Sequence, residues 1–138
     1  MTSILKKTAL AAGLVCAAWG VQAQTVTLKV HHFLGPQSVQ HTTMLGDWCK
    51  NIARDSKDRL KCDIFPAMQL GGTPVQLYEQ ARDGVVDVAW TLQAYTPKLA
   101  KLEVFELPFM MTNAEATSRA AWDFAQKYAQ DDFKDVKM

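Results

Sequence analysis

An α/β fold with a mainly parallel sheet flanked by helices is predicted by three features of this chain. Segments with period-2 apolar spacing alternate with segments of helical spacing from Thr25 to Thr91. Glycine, proline and capping residues stand at the junctions: Gly35-Pro36, Gly71-Gly72, Thr73-Pro74 and Gly84. Val85 to Thr91 is largely apolar, as strands covered on both faces are.

In chain order, Thr25 to His31 alternates polar residues with Val26, Leu28 and Val30, which predicts a strand ended by Gly35-Pro36. Ser38 is placed to cap a helix whose apolar side carries Val39, Leu45, Trp48, Cys49 and Ile52 and whose other side carries Asp47, Lys50, Asn51 and Arg54. Asp58 ends that helix, and Arg59 to Phe65 reads as the second strand, followed by a loop over Pro66 to Gly72. Thr73, Pro74 and Gln76 give cap, first position and capping-box partner of the next helix. Gly84 supplies the left-handed residue at its end. After the third strand, Pro97 to Leu102 predicts a short helical turn and Glu103 to Leu107 a fourth short strand. Asn113 caps a last helix with Ala116, Ala120 or Ala121, Phe124, Ala125 and Tyr128 on its apolar side, and Phe133 to Met138 reads as the approach to another strand.

Residues 1–23 have the pattern of a secretory signal: Lys6 and Lys7, a small apolar run from Thr8 to Trp19, and Val21-Gln22-Ala23 at the cleavage positions. Cleavage after Ala23 is expected, which starts the mature chain at Gln24 as an exported protein. The apolar run is shorter than the ~20 residues a retained spanning helix needs, and Val15 before Cys16 does not fit a lipoprotein signal. Removing Lys6 and Lys7 from 15 basic side chains leaves 13 against 14 acidic ones. That near-neutral balance implies no nucleic-acid partner.

Cys49 and Cys62 remain in the mature chain, and an oxidising compartment allows them to pair. Counted from the helix-strand turn near Lys57 and Asp58, at ~1.5 Å per helical and ~3.3 Å per strand residue, they reach similar heights and face each other. A helix packed on a sheet can still hold Cα atoms near the ~7 Å limit for a bridge, so a disulfide and two buried thiols both fit.

In open α/β sheets, ligands lie beyond the carboxyl ends of the strands. That edge receives His31, His32 and Phe33 after the first strand, and Met68, Gln69 and Leu70 after the second. It receives Trp90, Thr91, Gln93 and Tyr95 after the third, and Phe109 after the fourth. Aromatic, amide and thioether groups suit a small-molecule pocket, and the helix starts at Ser38 and Thr73 favour an anion. Each has a plain structural alternative: Trp90 and Phe109 as core, Gln69 as a partner of its own loop backbone, Tyr95 as a surface turn. His31 and His32 are adjacent in a strand and point to opposite faces, and His41 has no spaced partner, so no metal site is expected. No nucleotide-binding glycine pattern and no serine, Cys/His or Glu-x-x-His catalytic arrangement is present, so neither catalytic residues nor a cofactor is expected.

Three segments together carry a family resemblance: His31-His32-Phe33-Leu34, the run Ile64 to Pro97 with Met68-Gln69-Leu70-Gly71-Gly72, and Val104-Phe105-Glu106-Leu107-Pro108-Phe109. In this order they resemble the substrate-binding proteins of tripartite ATP-independent periplasmic (TRAP) transporters. The resemblance implies a periplasmic binding protein-like fold of two lobes that closes on a small organic acid and delivers it to the permease subunits of a membrane transporter. It places His32, Phe33, Gln69, Trp90, Tyr95 and Phe109 at or near the cleft, and a carboxylate-clamping arginine on the other lobe. Such receptors are about twice this length, so residues 24–138 are expected to form part of the first lobe, with the second lobe missing. None of Arg54, Arg59, Arg82 or Arg119 stands in the clamp context. Other extracytoplasmic solute-binding or sensor proteins, and a secreted α/β enzyme, are the competing readings.

Overall fold

The computed structural model describes residues 24–138; the signal segment read in residues 1–23 lies outside the described residues. Three parallel strands, β1 (Val26–His32), β2 (Leu60–Phe65) and β3 (Val88–Trp90), form one sheet in the order β2-β1-β3. Leu28 lies beside Cys62, Val30 beside Ile64 and Val88, and His32 beside Trp90. Because strand side chains alternate, these residues share one face, while His31, Phe65 and Ala89 share the other.

Helix α1 (Gly46–Asp55) covers the first face, entered through a π-helical stretch at Gln40–Leu45. Cys49 and Cys62 are joined as a disulfide between α1 and β2, their Cα atoms 5.7 Å apart. Ser38 Oγ accepts a hydrogen bond from the His41 N–H at 3.3 Å, at the start of the π-helical stretch. The end of α1 turns on Lys57, in the left-handed region at φ +55°. There the Lys57 N–H donates to Arg54 (3.1 Å) and the Asp58 N–H to Ala53 (2.8 Å), the paired closure of a Schellman motif.

Helix α2 (Leu77–Arg82) covers the opposite face, preceded by a 3-10 turn at Pro74–Gln76. The capping box is in place: the Thr73 N–H donates to Gln76 Oε1 at 2.9 Å. Gly84, at φ +71°, closes the helix with bonds from its own N–H to Ala81 and from the Val85 N–H to Gln80.

That closure shortens the third strand. The Val85 and Val86 N–H groups both donate to the Gln80 carbonyl, so neither is available to a sheet ladder. The strand expected over residues 85–91 therefore spans only Val88–Trp90. Asp87 locks its start, its carboxylate accepting from the Lys29 N–H at 2.8 Å.

The strand expected over Glu103 to Leu107 is absent. Pro97–Glu106 is a 3-10 helix with a kink at Leu99. Leu99, Leu102 and Phe105 recur every third residue, the period of a 3-10 helix, and that stripe packs on Tyr78 and Ala125. Phe133 to Met138 is likewise no strand approach: a 3-10 turn at Gln130–Phe133 places Phe133 and Val136, three apart, on the same cluster. Helix α3 (Ala114–Tyr128) adds Phe124 and Ala125 to this second core, and its first turn is capped by Asn113 Oδ1 accepting from the Ala116 N–H at 2.9 Å.

Candidate functional site

Sheet order marks the edge at which ligands of open α/β sheets lie. From β1 the chain crosses to one side to form β2 and then returns past β1 to form β3, with the two connecting helices on opposite faces. The loops leaving β1 and β3 therefore diverge and open a crevice between the carboxyl ends of those strands. Phe33 follows β1, Trp90 ends β3 and Tyr95 ends a 3-10 turn at Gln93–Tyr95. The three rings pack together. Phe33 lies 5.6 Å from Trp90 and 5.2 Å, edge-on, from Tyr95, between centroids. Edge-on and tilted contacts of this kind are the favoured arrangements of aromatic pairs, in preference to a face-to-face sandwich.

The loop after β2 is bonded to the loop after β1. The Ala67 N–H donates to the Leu34 carbonyl at 2.8 Å and the Met68 N–H to the His32 carbonyl at 3.1 Å. Ala67 and Met68 both sit in the left-handed region, at φ +50° and +59°, which costs non-glycine residues about 1–3 kcal/mol each. Gln69, next in the chain, is exposed at this edge.

His31 and His32 are fully buried. The His32 ring, on the α1 face, holds its Nε2 3.0 Å from His41 Nδ1, while its Nδ1 is buried without a partner among the described residues. Burial is the main cause that lowers the His32 pKa below its ordinary 6.5, and the neighbouring His41 and His31 push the same way. The sequence suggested no partner for His41. The π-helical stretch, which periodicity does not announce, brings it to His32.

Phe109 does not join the aromatic group. The segment before it is a 3-10 helix and not a strand, and its phenyl is 99% exposed at φ +65°. Of the positions singled out, then, Phe33, Trp90 and Tyr95 are brought together and Gln69 stands at the same sheet edge. His32 lies beneath that edge and Phe109 stands apart. A separate hollow of about 320 Å³ runs along the free edge of β3, between Val88, Ala89 and Thr91 and the residues Phe133 and Val136. It is lined by none of the six positions.

The four arginines are engaged locally. Arg54 donates to Asp55 (2.8 Å), Arg59 to the Ser56 carbonyl (3.0 Å), Arg82 to Asp83 (2.8 Å) and Arg119 to Glu115 (2.7 Å). Among the described residues, no group of three His, Cys, Asp or Glu side chains is arranged to hold a metal ion, and no helix is long and apolar enough to cross a membrane.

A three-stranded parallel sheet flanked by helices, with aromatic side chains gathered at its switch point, is part of a periplasmic binding protein-like fold. The chain belongs to the bacterial extracellular solute-binding protein family 7, which it matches over residues 30–137. It is 54% identical to a TRAP solute-binding protein from Rhodoferax ferrireducens T118, crystallised with copurified benzoate, covering 80% of this chain and 35% of that one with a TM-score of 0.77. A marine metagenome TRAP solute-binding protein described as specific for aromatic acid ligands, with 3-hydroxybenzoate bound, is 43% identical over 83% of this chain and 36% of its own, with a TM-score of 0.79. The outer membrane transporter protein TsaT of Comamonas testosteroni is 31% identical over 78% of this chain and 31% of its own length. The chain thus spans about a third of the relatives it matches.

Proposed function

We propose that this chain supplies part of the first lobe of a periplasmic receptor for an aromatic carboxylate, which it passes to the permease of a TRAP transporter. The carrying observation is the Phe33, Trp90 and Tyr95 group at the switch-point crevice. A benzoate-like ring stacks on such a surface, and burying a phenyl group contributes about 1.5–3 kcal/mol. The benzoate and 3-hydroxybenzoate bound by two relatives support the same class of ligand. Gln69, exposed at the same edge, is the polar complement to the rings, with His32 buried beneath it. The clamp for the carboxylate comes from another part of a complete receptor, since the arginines of this chain are taken up locally. Export, with cleavage after Ala23, belongs to the same proposal and is checked by sequencing the mature N-terminus.

The test is a complete receptor in which residues 26–138 replace the matching part of the Rhodoferax protein, titrated calorimetrically with benzoate, 3-hydroxybenzoate and D-erythronate. Aromatic acids are expected to bind at least about tenfold more tightly than D-erythronate, the equivalent of one buried ring. Equal affinity for D-erythronate overturns the aromatic assignment. Failure to bind any of the three overturns the receptor reading for this segment.

A further inference from the structure

Burying an imidazole costs least when both of its nitrogens have partners, and the way His31 achieves this ties three parts of the molecule together. Its Nδ1 donates to Gln80 Oε1 on α2 at 2.7 Å, and its Nε2 accepts from the Leu70 N–H at 3.4 Å. Gln80 completes the circuit, its Nε2 donating to the Gly71 carbonyl at 3.1 Å. The fit is close, for a Cβ added to Gly72 would stand 2.8 Å from Gln80 Nε2. On the other side of Gln69, the Ala67 and Met68 N–H groups are bonded to Leu34 and His32. Two successive left-handed non-glycine residues persist only where the surroundings over-determine them. The bonds to β1, α2 and the loop after β1 provide that constraint.

We propose that His31 and Gln80 are positioning residues for the ligand-edge loop Pro66 to Gly72, and that they set the place of Gln69 without touching the ligand. The proposal rests on the receptor reading above. His31 is fully buried on the sheet face opposite His32 and Trp90, so it acts through the Leu70 backbone. Gln80 supplies one acceptor and one donor in a fixed order, which makes the amide necessary: leucine offers neither group, and glutamate keeps the acceptor but sets a carboxylate against the Gly71 carbonyl.

Two samples test this: the full chain labelled with 15N, and the complete receptor described above. In both, long-range 1H–15N spectra are expected to show His31 as the Nδ1–H tautomer. Gln80→Leu is expected to accelerate Leu70 amide exchange by about tenfold or more while Val30 in β1 keeps its rate, since the buried His31 ring loses its hydrogen-bonded partner. Benzoate affinity of the receptor should fall by a similar factor, with Gln80→Glu intermediate in both readouts. Unchanged Leu70 exchange, or uniform acceleration at Leu70 and Val30, overturns the positioning role. So does a loosened loop with unchanged benzoate affinity. If the unsubstituted receptor binds no carboxylate, the functional reading fails separately, and the role of His31 and Gln80 in setting a ligand contact falls with it even where the exchange result stands.

Discussion

His32 Nε2 and His41 Nδ1 lie 3.0 Å apart, one ring at the end of β1 and the other in the π-helical stretch leading into α1. One nitrogen donates and the other accepts, so the pair tolerates one proton in the contact and resists a second charge. The His32 pKa is lowered, first by burial and then by His41 and His31. The unfolded chain therefore binds this proton more readily than the folded one. The His32 contribution to stability is complete above pH 6.5, declines as pH falls through that value, and levels off below the folded-state pKa. Urea midpoints measured between pH 8 and pH 4.5 should follow that course. His41→Gln should leave most of the dependence in place, because burial is the larger cause; a flat profile in that variant would show that His41 dominates.

Cys49 and Cys62, 13 positions apart, close a short loop between α1 and β2. In the chain-entropy account such a crosslink is worth about 3 kcal/mol. Reduction, or a Cys49→Ala/Cys62→Ala double variant, is expected to lower stability by roughly that amount in urea titrations. Mass spectrometry of the exported, unreduced protein should find no free thiol in the mature chain.

Gly71 and Gly72 offer a matched pair. Both have positive φ, +84° and +86°, but an added Cβ meets open space at Gly71 and the Gln80 amide at Gly72. Gly71→Ala should cost about 1–2 kcal/mol, the steric cost of a left-handed alanine. Gly72→Ala should cost more and also disturb the Leu70 amide. Equal losses in thermal or urea unfolding would mean that the Gln80 side chain yields freely.

Phe109 holds a conformation that favours glycine while its ring is 99% exposed. Phe109→Gly is expected to leave the isolated chain as stable, or to stabilise it by up to about 1 kcal/mol, because it relieves backbone strain and removes no packing. In a complete receptor the same change should weaken benzoate binding if the ring meets the ligand there. Unchanged affinity would remove Phe109 from the site.

Elements with strong periodic or capping signals were legible in the sequence. β1, β2, α1 and α3 follow apolar spacing, and Thr73, Gly84 and Asn113 stand where their caps form. The sheet-edge rule placed Phe33, Trp90 and Tyr95 on a common edge, and the structure packs them together. The losses came where period-3 order competes with period-2. Leu99, Leu102, Phe105, Phe133 and Val136 are spaced for 3-10 turns, yet short apolar runs of this kind also read as strands. The contacts of His31 with Gln80 and of His32 with His41 were not legible, because each links residues on different elements whose relative rotation only packing decides.

The Gln80 carbonyl accepts from both Val85 and Val86, while its side chain holds His31 and Gly71. One residue thus clasps the start of β3, the end of β1 and the ligand-edge loop. The spacing from Gln80 to Val85 cannot change by even one residue without releasing one of these attachments. Insertions and deletions in homologous receptors should therefore avoid that stretch and gather in the exposed run from Leu107 to Asn113, whose backbone is held by little beyond the Met110 to Leu107 turn.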